Sequence, residues 1–321
     1  MTHPLTVLPM AQGLKVVVPN SLSLITPYVL YEQEDWFEDE IKFIRKVLEP
    51  SNVVVDIGAN YGLYTLSMAQ KVGATGHVLA IEPCQSTAAC LEASLQENQF
   101  DWVTLDQVAV SDHEGIAHLT LNDQSELNEL VRGDEDDPKN TQEVPLVTLD
   151  GLVENHGLTR VDFIKIDAEG EEAHIVAGGA KFFSVFSPLV QFEVKAGNDV
   201  HLELVEVFAA MGYVAYQLMP GLSALVPFDP SSSVDGYLLN LFCCKPDAAQ
   251  RLEEKGFLVQ ELPNGTGSRA TWRQLIDDLE SQDSSQVLLH QWPYAQTLLA
   301  TWDFNQSFDT DFSVGDIVSL M

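Results

Sequence analysis

Basic residues are scarce. The 321-residue chain has 16 Lys and Arg against 48 Asp and Glu, a formal charge of −32 and a pI near 4.3. Such a surface repels phosphate backbones and anionic lipid headgroups, which counts against RNA or DNA as a partner. The simplest account of the charge is solubility, as in a salty cytoplasm. Cysteine is also sparse. Cys84, Cys90, Cys243 and Cys244 show no CxxC spacing, and the last two lie in the apolar run "YLLNLFCC", so they read as buried free thiols suited to a reducing compartment. No run of 18 apolar residues occurs, so no membrane span is expected. The opening "MTHPLTVLPMAQG" lacks the basic start and apolar run of a signal peptide, and the sequons at Asn264 and Asn305 carry little meaning without secretion. The expectation is a cytoplasmic protein. Internal repeats and low-complexity tracts are absent too.

What is present is a 45% hydrophobic composition, ordinary for a globular chain, and a length that allows one large domain with additions or two modest ones. "LKVVV" (14–18) predicts a short strand. Phe37, Ile41, Ile44 and Leu48 form a helical stripe closing at Pro50. Val53 to Val55 make a β-branched run of the kind a strand covered on both faces shows. A helix (Leu63 to Lys71), the strand "HVLAIEP", a helix around Ser86 to Glu97 and the strand "VTLDQVAV" follow. Regularity lapses over 122–143, where "GDEDDPKN" reads as a solvated acidic turn in a long polar connection of the kind that forms lids. It resumes with "VTLDGLVENHG", "VDFIKIDAEG", a helix from about Glu171, "LVQFEV", a helix (His201 to Met211) and the pair "YVAYQL…YLLNLFCC", which can supply an antiparallel edge. Alternating strands and helices imply an α/β fold with right-handed crossovers and a mainly parallel sheet. The expected division is a lead-in (1–49), a cofactor-binding domain (50–246) and a helical appendage (247–321). In the appendage Trp272, Leu275, Ile276 and Leu279 form one stripe, and a second helix from Pro293 carries Leu298, Leu299 and Trp302. That appendage either packs on the main domain or mediates a subunit contact in a homo-oligomer.

The turn after Val53–Val55 decides the cofactor. A dinucleotide turn needs G-x-G-x-x-G so that pyrophosphate can approach bare backbone at a helix N-terminus. Here it reads Gly58-Ala59-Asn60-Tyr61-Gly62, with Asn60 where the second glycine should be. Asp56, two residues before Gly58, would repel a diphosphate and suits a ligand with an ammonium and a sulfonium. S-adenosylmethionine is such a ligand. Glu82 ends the next strand, where it can accept from both ribose hydroxyls; dehydrogenases place an acid similarly, so it supports a nucleoside without choosing the cofactor. Asp56 as a helix cap and Glu82 as a strand-end cap are the structural alternatives.

The series "VVVDIGANYGLYTLSMA", "GHVLAIEP", "DQVAVSDHEG", "VPLVTLDGL", "VDFIKIDAEGEEAHIVAGGA" and "LVQFEV", with "TPYVLYEQEDWFEDE" upstream, resembles the FkbM-type methyltransferases over about residues 26–245. The combination of D-x-G-A-N, the E-P dipeptide and K-I-D-x-E-G-x-E is more specific than any one motif. The resemblance implies a class I, Rossmann-like fold that uses S-adenosylmethionine, usually to methylate oxygen on sugars or secondary metabolites. It implies that Asp56, Gly58, Ala59, Asn60 and Tyr61 surround the methionine part and Glu82 the ribose, with Gln107 and Val108 at the adenine edge.

"IKIDAEGEE" puts Asp167 and Glu169 at the carboxyl end of a strand, the edge at which open α/β sheets bind ligands. Methyl transfer to a hydroxyl needs alignment and removal of its proton. Asp167, Glu169 and the strand-end Glu193 are the candidate catalytic carboxylates, and crowding would raise one another's pKa. An oxygen-rich trio can also hold Mg²⁺, but direct carboxylate chemistry is favoured and no metal ligands are assigned. The alternative for Glu169 is that it only starts the next helix, where its charge favours the dipole. Glu171 and Glu172 are read as supporting that helix, Lys165 as pairing with an acid, and His174 as a packed or solvated helix residue. Lys195 stands where the family leads one to expect a different polar residue. The expected partner is a small-molecule or glycan acceptor; a nucleic-acid or protein methyltransferase, an NAD-dependent oxidoreductase and a non-catalytic interaction protein are the alternatives.

Overall fold

A computed structural model describes residues 3–122, 125, 128–131, 140–196, 199–200, 202–230 and 238–260. In chain order the elements are β1 (Leu5–Met10), β2 (Leu14–Pro19), α1 (Ile25–Gln33), α2 (Asp39–Val47), β3 (Val53–Ile57), α3 (Leu63–Val72), β4 (His77–Ile81) and α4 (Gln85–Asn98). Then come β5 (Val103–Asp106), β6 (Ala109–Ser111), β7 (Gly115–Thr120), β8 (Thr141–Thr148), α5 (Leu149–Asn155), β9 (Phe163–Ile166), α6 (Glu172–Ala177) and α7 (Ala180–Val185). The last are β10 (Leu189–Glu193), β11 (Lys195–Ala196), β12 (Asp199–Val200), α8 (Glu203–Ala210), β13 (Val214–Met219), β14 (Ala224–Pro227), β15 (Asn240–Cys244) and α9 (Pro246–Glu254).

Eight strands form the central sheet in the order β14-β13-β15-β10-β9-β3-β4-β5. From β5 to β10 the pairings are parallel; β15 runs antiparallel between β10 and β13, and β14 is an antiparallel edge. This is the class I methyltransferase arrangement, an α/β sheet wound outward from β3. The continuous apolar runs of β3 and β9 follow from cover on both faces. Val54 and Phe163 pack with α2, α3, α4 and α9, whereas Val55, Ile57, Ile164 and Ile166 pack with α5 to α8. The lead-in shares the first of these cores through Val16, Leu30, Ile41 and Phe43.

Four details differ from the sequence reading. "VTLDQVAV" is two strands: β5 completes the central sheet, and β6 joins β7 and β8 in a separate three-stranded sheet. The pairing partner of "YVAYQL" lies inside the sheet, and β14 is the edge. Phe37 precedes α2 and is 46% exposed, so the stripe begins at Ile41. β1, with Pro9 in it, pairs with β2 as a hairpin. Of the expected appendage, α9 is seen; the stripes at 272–279 and 298–302 lie outside the described residues, as does "GDEDDPK" (133–139). Among the described residues no helix is long and apolar enough to cross a membrane.

Candidate functional site

The carboxyl ends of β3, β4, β9 and β10 open onto a cavity of about 310 Å³. Its two halves differ in chemistry. One is walled by Glu82, Pro83, Val108, Val110 and Leu119, the other by Trp36, Glu38, Tyr64, Asp167 and Glu193.

The turn after β3 builds the floor of the first half. The amides of Gly58 and Ala59 both donate to the Ile81 carbonyl at 3.1 and 2.9 Å, which fixes the turn to the end of β4. Gly58 has φ +78, and a Cβ there would lie 1.7 Å from the Asp167 carbonyl oxygen. Only glycine permits that approach. Asn60 holds φ +50, a conformation its short polar side chain tolerates. Its Oδ1 accepts from the Tyr61 amide at 2.8 Å and from the Ser125 hydroxyl at 2.9 Å. The Asn60 amide donates to Glu82 Oε2 at 2.8 Å, and the Cys84 amide donates to Glu82 Oε1 at 2.9 Å. Burial pushes the Glu82 carboxyl up to about 7 against the pull of those two amides. Gly58, Ala59, Asn60, Tyr61 and Glu82 all line the cavity.

A polar row crosses the sheet beneath the second half. Asp56, Lys165 and Gln191 are register neighbours on β3, β9 and β10, and all are buried. Asp56 accepts from the Thr65 hydroxyl at 2.5 Å, and its other oxygen has no protein partner. Lys165 donates to Asp167 Oδ2 at 2.7 Å and lies 5.0 Å from the centre of the Tyr64 ring. Despite burial, Asp167 and Asp56 hold the Lys165 ammonium above its ordinary pKa, so it stays charged. The Tyr64 hydroxyl donates to Glu38 Oε2 at 2.5 Å. Burial raises the Glu38 carboxyl. Glu193 is driven above the usual carboxylate range by burial and by Asp167, Glu169 and Glu172, which favours its protonated form.

The predicted site residues are brought together unevenly. Asp167, Glu169 and Glu193 share the cavity wall, and Val108 lines it as well. Asp56 lies fully buried below the turn and off the cavity surface; Gln107 is exposed and off it too. Glu172 accepts from the Ala168 and Gly170 amides and so orders the loop before α6. Glu171 is buried, accepts from the Ser111 hydroxyl at 3.1 Å and lines the cavity, a placement beyond the helix support expected of it. His174 faces Asp112 at 3.0 Å, away from the cavity. Trp36, Glu38 and Tyr64 are members that residue-by-residue reasoning did not assign; the cluster "EDWFEDE" was the visible signal for Trp36 and Glu38, and nothing local marked Tyr64. Among the described residues no cluster of three or more His, Cys, Asp or Glu could hold a metal ion.

The donor set fits S-adenosylmethionine. Among the lining residues Lys165 is the sole cation, and it is already paired, so nothing there would neutralise a diphosphate. A carboxylate beside an apolar wall suits a ribose and an adenine, and the acidic second half suits a positive sulfur.

Residues 56–215 match the methyltransferase FkbM domain. A 31-O-demethyl-FK506 methyltransferase FkbM from Streptomyces tacrolimicus is 28% identical over an alignment covering 41% of this chain and 60% of that protein. The chain therefore spans less than two thirds of that curated relative's length. Among solved structures, methyltransferase FkbM from Methylobacillus flagellatus KT is 15% identical, with TM-score 0.40, over 63% of this chain and 50% of that one. An O-methyltransferase from Bacillus cereus in complex with SAH is 15% identical, with TM-score 0.39, over 66% and 82% of the two chains.

Proposed function

Through residues 56–215 the chain belongs to the FkbM methyltransferase family, and we propose that it methylates a hydroxyl oxygen on a sugar, glycan or secondary metabolite. The observation that carries this reading is the cavity lining: the glycine turn and Glu82 with apolar Pro83, Val108 and Val110, and the carboxyls of Asp167 and Glu193 in the same cavity. S-adenosylmethionine, when bound, supplies a methyl carbon on a positive sulfur for in-line displacement and leaves as the neutral thioether. Glu82 and the turn of Gly58, Ala59, Asn60 and Tyr61 would hold it, with Val108 against the base. Asp56 acts from below through Lys165 and Thr65 and contributes negative charge without touching the ligand.

On the acceptor side the work divides between two carboxyls. Asp167, held in place by Lys165, takes the acceptor hydroxyl proton as the carbon–oxygen bond forms. Glu193, in its protonated form, donates a hydrogen bond that orients the acceptor and does not compete for the proton. Glu169 adds negative charge at the cavity mouth. We place the reaction in the cytoplasm, since all four cysteines are buried free thiols.

Calorimetry with S-adenosylmethionine, S-adenosylhomocysteine and NAD tests the cofactor assignment, and tight binding of NAD alone would overturn it. A radiolabelled methyl-transfer screen across hydroxylated glycans and metabolites tests the acceptor class. Against any acceptor so found, Asp167→Asn should lower kcat on the order of a hundredfold with the S-adenosylhomocysteine Kd unchanged, the scale of a lost general base. An equal loss in cofactor affinity would remove Asp167 from the proton-accepting role.

A further inference from the structure

We propose that the outer face of α1 docks the apolar body of the acceptor, so that the acceptor is an uncharged amphiphile with a hydroxyl-bearing head in the cavity. This rests on the methyl-transfer reading and narrows its substrate. α1 buries Thr26, Pro27, Val29 and Leu30 and turns Ile25, Tyr28 and Tyr31 outward, at 46%, 51% and 64% exposure. Leu22, 59% exposed, precedes them at the same three-residue spacing. Residues three apart are neighbours on a helix surface, so Ile25, Tyr28 and Tyr31 form one line, with Leu22 in the turn before it.

The line runs into the cavity. Ile25 and Thr26 belong to the cavity wall, as do Trp36 and Phe37. Phe37 is itself half exposed, its ring 4.6 Å from that of buried Trp36. The turn carrying these rings is fixed: the buried Arg45 guanidinium grips Asp35 with two hydrogen bonds of 2.7 Å and also donates to Ser67. A contiguous exposed apolar patch marks an interaction site, and here its continuity with the cavity names the occupant. A ligand that fills both must join a polar head to an apolar body in one molecule.

Charge narrows the class. Glu32 and Glu34 flank the stripe and are exposed, and Glu169 stands at the cavity end of it. With a net charge of −32 behind them, an anionic amphiphile or an anionic lipid surface is repelled. Burial keeps Glu38 and Glu193 toward their neutral forms, in which they hydrogen-bond hydroxyls.

The test is calorimetry on the full chain loaded with S-adenosylhomocysteine. The titrants are ethyl, butyl and octyl β-D-glucoside below their micelle concentrations, and octyl β-D-glucuronide as the anionic probe. Affinity should rise about tenfold or more from ethyl to octyl, since each buried methylene adds to binding. The glucuronide should bind several-fold more weakly than octyl glucoside. Tyr28→Ser/Tyr31→Ser should flatten the chain-length dependence and leave S-adenosylhomocysteine affinity unchanged. Equal affinity at every chain length, no glucoside binding, or a dependence that survives in the double variant overturns the proposal. Light scattering separates the remaining occupant: a dimer that the double variant dissolves would make the stripe a contact between copies and sink the acceptor assignment. Failure to bind S-adenosylhomocysteine would count against the methyl-transfer reading alone, and the same glucoside series on the unloaded chain would then decide the surface.

Discussion

Glu82 holds two backbone amides while buried, and its carboxyl titrates near 7. Its folded pKa is raised above the ordinary value, so the native state keeps a proton that the unfolded chain has lost between about pH 4.5 and 7. That contribution to stability is present below pH 4.5 and is lost as pH rises through 7. Ribose recognition has the opposite preference, because the anion is the better acceptor for two hydroxyls. S-adenosylhomocysteine should therefore bind more weakly as pH falls from 8 to 6, approaching tenfold per unit below 7. In Glu82→Gln the pH slope should vanish; a slope that persists would assign it to another group. Gly58 makes a second prediction at this scale. Gly58→Ala combines a left-handed φ of +78 with a Cβ placed 1.7 Å from the Asp167 carbonyl oxygen. It should cost about 2 kcal/mol or more in denaturant unfolding and weaken cofactor binding, since the turn must shift. An Ala variant of wild-type stability would mean that the two loops are free to part.

The strands β3, β9 and β10 present Asp56, Lys165 and Gln191 side by side under the site. Lys165→Met leaves Asp56 buried without its cation and should cost on the order of 3–5 kcal/mol by urea unfolding. Adding Asp56→Asn should recover part of that loss; a double variant as unstable as the sum would show that the two groups act separately. The alternation of Lys165 with Ile164 and Ile166 marked it in the sequence as pairing with an acid but not which one, whereas the β-branched run of β3 marked a strand covered on both faces. Other elements were not legible. The run 103–110 is uniformly strand-like, and nothing local marks Gln107 and Val108 as the place where the chain leaves one sheet for another. Phe37 fits a helical period yet precedes α2, because a residue four positions before Ile41 keeps the spacing whether or not the helix has begun. Tyr64 meets Glu38 across 26 positions of chain, a distance that no periodicity spans.

At the scale of the whole molecule, self-repulsion at −32 opposes the compact state. Raising NaCl from about 0.05 M to about 0.5 M shortens the screening length severalfold, and Tm should climb by several degrees. A fall in Tm would mean that attraction within ion pairs such as Lys15–Glu97 and Lys255–Glu49 outweighs the repulsion. The α/β class was readable because the alternation of strands and helices is a local signal. The join between the lead-in and the cavity was not, because it is made in space. That join has a consequence for redesign. The close approach of Gly58 to the Asp167 backbone welds the turn after β3 to the loop that carries the proposed base, so neither can be retuned alone. Residues 22–38 reach the same cavity from outside the weld, held by Arg45 and Tyr64. Exchanging that segment between relatives should transplant acceptor choice while leaving the transfer machinery as it stands, much as a new nozzle leaves the pump unchanged.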